Sequence, residues 1–279
     1  MTKACCSACK TGKKKPCAST KKNSAATLFK WDPWGSIGRH HDNCYDYAFG
    51  LNNPRAVNKN VPGNMSGNKA WGLTFQTCDG IARRVLEDYK GLAYKCSNGS
   101  QPCRAGYYKV MNFVSPNGGD FHWYRQTSAV RYKIRAGDTI TGVAKFFRVT
   151  PETIRAAVKK SQPPKSASNG RIANTNRNLP LLNTYVRSGR GVMPPGKVIQ
   201  FPVKLWSHKQ GWATGPILVD AKGRTIRDPR RADKNYPGLN YSRFCSAYCV
   251  KAGAGRIAMK RLGGVRKVNV SQFLGKLRL

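Results

Sequence analysis

Three residues in this chain have the type and spacing to do covalent chemistry. Cys44 lies in HDNCYDYA (41–48), His122 in DFHWYR (120–125) and His208 in LWSHKQGW (205–212). A cysteine opening a helix gains acidity from the helix dipole. An imidazole on a strand across the site can take its proton, and a third polar group can fix the ring. In that scheme Cys44 is the nucleophile and His122 the base, and His208 is a rival base or an oxyanion partner. Asp120, Asp220 or Asn43 orients the imidazole. The reaction would be hydrolysis of an amide or isopeptide bond. The plainer alternative makes Cys44 a buried small hydrophobe or half of a disulfide, and His122 a satisfied core histidine. His40 and His41 read as loop residues. No phosphate-binding loop and no paired carboxylates stand out, so no cofactor is expected.

These residues need elements to hold them. An apolar stretch begins at Cys44 after turn signals. Residues 73–89 place Ile81, Val85 and Tyr89 at helical spacing. AGYYKVMNFVSP and GDFHWYRQ are aromatic, β-branched runs joined by SPNGG, which predicts two antiparallel strands. From Arg131 the pattern changes. YKIRAGDTITGVAKFFRVTPETIRAAVKK predicts a short strand, a turn and two helices. The first helix is capped by Asp138 or Thr139, and the second opens at Thr150 with Pro151 in its first turn. SQPPKSASNGRIANTNRN is a polar insertion, and GVMPPGKVIQFPV supplies a closing strand. The aromatic style of the first part then resumes, so DFHWYRQ and WSHKQGW read as one strand–turn–strand element cut open by a looped-out module.

The stretch 131–203 resembles a LysM module, a small βααβ domain. The likeness is carried by Tyr132, Gly137-Asp138-Thr139, Ile140, Val143, Ala144, Phe147, Val149-Thr150 and Pro195-Gly196 before KVIQFPV. It implies binding of N-acetylglucosamine-containing glycan near Gly137, Asp138 and Thr139. The surrounding sequence resembles the CHAP and NlpC-type papain-like amidases, in which a helix-borne cysteine precedes a strand-borne histidine. It is more similar still to proteins of bacteria and large algal DNA viruses that carry NCYxYA…DFHWYR…WSHK…IxDP, here Asn43–Ala48, Asp120–Arg125, Trp206–Lys209 and Ile226–Pro229. The resulting expectation is an α+β chain. A basic Cys-rich arm (1–30) precedes a papain-like domain (31–130 and 204–250). That domain is split by a LysM-like insert (131–203) with a polar loop at 161–189. A basic tail (251–279) follows.

Composition narrows the function classes. The 279 residues carry 50 Lys and Arg against 12 Asp and Glu, a formal net charge of +38. The two terminal stretches of about 30 residues hold eight basic residues each and no acid, so the excess runs along the whole chain. Such a surface gathers polyanions by counterion release. No apolar run approaches the ~20 residues of a bilayer span, and MTKACCSACKTGKKKPC has no apolar stretch of a secretory signal behind it. Reduced thiols are the default without such a signal. Ten cysteines are nevertheless many, which points to metal or to a disulfide-permitting assembly. The irregular CCSACKTGKKKPC, with no histidine nearby, argues against zinc there.

These features lead to an expected virion structural protein. It would be a basic minor capsid protein, synthesised in the host cytoplasm, that links capsomers or faces the internal membrane or genome. Its amidase-like scaffold is expected to be inactive. Its expected partners are the major capsid protein and other capsid proteins, with anionic membrane, viral DNA or N-acetylglucosamine glycan as further candidates. The alternative is a cysteine amidase or peptidase acting on cell-wall peptidoglycan or glycopeptide, targeted by the insert.

Overall fold

The computed structural model describes residues 28–30, 42–51, 60–68, 77–96, 99–116, 119–161, 192–211, 215–237 and 239–261. The readings of the Cys-rich arm, His40 and His41, nearly all of the polar loop at 161–189 and the end of the basic tail fall outside these residues.

The chain is α+β. In order it forms β1 (Leu28–Lys30), α1 (Cys44–Phe49), α2 (Cys78–Asp88), β2 (Ala93–Cys96), β3 (Tyr107–Val114), β4 (Phe121–Lys133), α3 (Ile140–Phe147) and α4 (Pro151–Lys160). Then come β5 (Val198–Lys209), β6 (Pro216–Ile217), β7 (Asn235–Tyr236), β8 (Leu239–Asn240) and β9 (Arg243–Lys251), with a last helix α5 over 254–261. One antiparallel sheet runs β2-β9-β3-β4-β5-β6, and β7 and β8 form a separate pair. β1 lies parallel to β4, with Leu28 opposite Ala129, and covers the edge that β3 leaves beyond Arg125.

β3 and β4 are rich in aromatic and β-branched residues, which suit a pleated surface. Ser115 N–H donates to the Asp120 carbonyl at 3.0 Å and closes the turn between them. Nearly every residue of β3 is buried, as are the first five of β4, because both faces of the sheet are covered there. On one face α1 and α2 pack Tyr45, Phe49, Ile81, Val85 and Tyr89 against Trp123 and Tyr248. On the other, Phe113, Tyr124, Trp206, Ile226 and Tyr241 form a second core beneath the segment that leads into β9.

β5 shows the change of architecture along its length. From Val198 to Lys204 exposed and buried residues alternate, and from Leu205 to Lys209 all are buried. The alternating half has one covered face, and the continuous half has two. The covered face meets α3 and α4, where Tyr132, Ile140, Val143, Phe147, Ile154 and Phe201 make a third core. The backbone therefore does not break at residues 130–131. β4 and β5 pair from Tyr124–His208 to Lys133–Val198, with a register shift between Thr127 and Ala129. The βααβ unit is the far end of strands that also build the main sheet, rather than a bead on a tether.

Local chemistry explains these helices. Thr139 caps α3 by accepting from Gly142 N–H, and Thr150 caps α4 with Pro151 in its first turn. Gly137 has φ +84°, the left-handed conformation that the turn before α3 requires. Disulfides join Cys78 to Cys245 and Cys103 to Cys249, so the start of α2 and the loop after β2 are both tied to β9. The reduced-thiol default is thereby replaced by cross-links at these four cysteines.

Candidate functional site

α1 begins at Cys44, and its local sequence explains why. Asn43 caps the helix, accepting from Tyr45 and Asp46 N–H, while Asp46 accepts from Asn43 N–H in return. The Asn43 amide also donates to the Asn60 carbonyl at 2.6 Å. Asn43 is thus spent on the helix start and does not orient an imidazole.

The Cys44 thiol donates to the carbonyl of Phe121 at 3.8 Å, just before the β4–β5 ladder begins. Burial pushes this thiol well above its ordinary pKa, and the nearby Asp120 carboxylate pushes it further. The group is a neutral thiol at physiological pH. α1 is six residues long, and its dipole does not offset the loss of water.

His122 belongs to the other side of the strand. Phe121 and Trp123 enter the core that holds Cys44, whereas His122 and Tyr124 face the core containing Tyr241 and Trp206. Its ring stacks on Tyr241 at 4.8 Å, and His122 Nε2 lies 2.8 Å from His208 Nδ1. His208 Nε2 lies 2.9 Å from the Val219 carbonyl oxygen. A carbonyl only accepts, so His208 carries its proton on Nε2 and offers Nδ1 to the His122 Nε2–H. One tautomer assignment satisfies both contacts with neutral rings. Burial lowers both pKa values. That of His122 falls well below the usual histidine range, with His208 contributing, and that of His208 falls to about 4.

The carboxylates named from sequence have other duties. Asp120 accepts from Tyr241 O–H at 2.8 Å and from Phe121 N–H. Asp220 accepts from the N–H groups of Lys222, Arg224 and Asp233 and forms an ion pair with Arg224 at 2.9 Å. It holds the 220–233 segment together, and its charge reaches His208 only through space. The structure thus joins His122 to His208 and sets Cys44 against the peptide that precedes His122. Asn43 and Asp220 are not in contact with either ring. The group that fixes His208 is a main-chain carbonyl, which no residue type announces. Tyr241 and Tyr236 complete the aromatic enclosure of His122, and neither was named as a site residue from the sequence.

A second candidate site is a groove of about 280 Å³ in the βααβ unit. Gly137, Asp138 and Thr139 line it with Tyr132, Phe146 and Phe147. Asp138 accepts from Tyr132 O–H at 2.5 Å and from Arg135 N–H at 2.7 Å, which rigidifies the turn. Phe146 is one of the exposed large apolar side chains. An aromatic face beside fixed polar groups suits the apolar face of a sugar ring.

No family model, curated protein or solved structure matches this chain.

Proposed function

We propose that this chain is a non-catalytic structural protein of a particle, a basic minor capsid protein built on an amidase-like scaffold. The observation that carries this reading is the state of Cys44: buried, neutral, and hydrogen-bonded to a main-chain carbonyl. His122, its expected base, has its Nε2 engaged with His208. A thiol in that state is a poor nucleophile, because the thiolate is the reactive form. The charge of +38 supports contact with acidic capsid proteins, an anionic membrane or a viral genome. The two disulfides among the described residues suit a protein that must persist in an assembled shell.

The test is labelling and salt dependence. Iodoacetamide at pH 7.5 should leave Cys44 unmodified in the native protein, and Cys44→Ala should leave binding to anionic vesicles and to DNA unchanged. Binding to both should fall steeply as salt rises. Labelling of Cys44 at the rate of an exposed thiol, or binding that ignores salt, defeats the reading.

A second reading is favoured by one feature: the Cys44 thiol touches the peptide bonded to His122, and His122 is hydrogen-bonded to His208. As an amidase, Cys44 would attack, and β4 would have to turn His122 from its opposite face toward the thiol to take the proton, with His208 orienting the ring and the groove at Gly137–Thr139 holding cell-wall glycan. Release of peptide from peptidoglycan by the wild type, abolished in Cys44→Ala, would establish it. Failure of the protein to be retained on chitin at low salt would remove the glycan role.

A further inference from the structure

Away from the histidine pair, three sulfur atoms converge on the opposite edge of the sheet. Cys96 ends β2, Cys249 lies in β9, and Cys103 lies in the loop between β2 and β3. Their sulfurs all fall within 4.8 Å of one another. Cys103 and Cys249 form a disulfide, and Cys96 keeps its thiol. The Cys96 sulfur is 2.9 Å from that of Cys249. Register explains the meeting: Tyr94 pairs with Cys249 and Cys96 with Ala247, so the two cysteines are diagonal neighbours on adjacent strands. Cys96 and Cys249 are buried, whereas Cys103 is half-buried between the exposed Pro102 and Arg104.

A cation stands beside them. Lys109 on β3 is opposite Cys249 and is itself buried, its ammonium donating to the Gly99 carbonyl at 2.7 Å. Burial lowers the Lys109 pKa, and the negative charge that Cys96 can carry works against that fall. The attraction is mutual, so the ammonium favours a thiolate at Cys96.

We propose that Cys96, Cys249 and Cys103 form a thiol–disulfide exchange centre that passes a thiol from the buried sheet to the surface loop. The Cys96 thiolate attacks the Cys249 sulfur, the Cys96–Cys249 bond forms, and the Cys249–Cys103 bond breaks with its electron pair leaving on Cys103. The proton lost by Cys96 ends on Cys103. No electrons enter or leave, so no oxidant is consumed. The half-buried Cys103 thiol then gives up that proton to solvent and, as the thiolate, attacks a disulfide of another molecule, forming a mixed disulfide at Cys103 and releasing the partner's second sulfur as a thiolate. Oxidised glutathione serves as the probe for that partner class. A metal centre built on the same sulfurs is the less favoured occupant. Tetrahedral zinc wants four ligands, the cluster offers three, and the Lys109 ammonium opposes a second cation beside it.

The test uses the full-length oxidised protein, quenched in acid, alkylated and mapped by peptide mass spectrometry. Two connectivities sharing Cys249 are expected, 103–249 and 96–249. Cys103→Ser should contain the 96–249 disulfide. Cys96→Ser, which keeps the cross-link to β9, should take up glutathione at Cys103 about tenfold or more slowly than wild type. The proposal fails if Cys96 is alkylated quantitatively in both wild type and Cys103→Ser. It fails equally if Cys96→Ser is glutathionylated at the wild-type rate, or if the purified protein holds one equivalent of zinc and its three thiols react only after chelation.

Discussion

At the scale of single residues, the histidine pair makes the sharpest claims. Both rings are neutral, buried and hydrogen-bonded, with His208 shifted to about 4. The C2 proton resonances of His122 and His208 should therefore stay flat from pH 8 to pH 5, and titration of either near 6.5 would contradict the burial argument. Linkage gives the sign for stability. The unfolded rings bind protons below pH 6.5 and the folded ones do not. The pair therefore costs nothing above 6.5 and destabilises the fold progressively as pH falls toward 4. Asp46 acts in the opposite sense. Burial raises its carboxyl to about 6, so the folded state takes up a proton there before the unfolded chain does. Asp46→Asn should steepen the loss of stability on going from pH 7 to pH 5, read as the urea midpoint. Replacing His208 by Ala leaves a cavity and strands the His122 N–H, at a cost of about 2–4 kcal/mol in urea unfolding at pH 7.

At the scale of elements, the contacts that set α1 are made with backbone. Gly50 ends the helix in a left-handed conformation, φ +68°. The first turn of α5 then approaches so closely that a Cβ on Gly255 would overlap the Gly50 carbonyl and Leu51 N. Gly255→Ala should cost about 2 kcal/mol by forcing α5 away from α1. Amide exchange should quicken in 44–51 and 254–261 while α3 and α4 are unaffected, and uniform loss of protection would show that these helices are not a local unit. Most of this level was legible beforehand. The 3.6-residue spacing of Ile81, Val85 and Tyr89, the threonine caps at 139 and 150 and the glycine turn at 137 act over a few residues, and local spacing reports them. The bulge at Thr127–Ala129 was not legible. It depends on how two strands fit two different cores at once.

At the scale of the whole molecule, the chain crosses the sheet many times, and the two disulfides among the described residues gather distant segments onto β9. They span 167 and 146 residues of sequence. Cross-links closing loops of that length remove much of the entropy of the unfolded chain. Reduction should lower stability by about 2–5 kcal/mol per bond, read as a drop in the guanidinium midpoint with dithiothreitol. An unchanged midpoint would mean that the core holds β9 without them.

Some properties of this protein followed from residue types alone. The excess of positive charge, the α+β character, the helix starts and the pairing of DFHWYR with its neighbouring strands are written in composition and short-range pattern. Tertiary structure decided the rest. It decided that Cys44 meets the Phe121 carbonyl, that His122 spends its Nε2 on His208, that Val219 orients that pair, and that three cysteines more than 140 residues apart in part share one edge of the sheet. Those outcomes depend on which face a side chain takes and on how much water is left beside it. Both are set by strand register and by the layers packed above it, over distances that local sequence does not record.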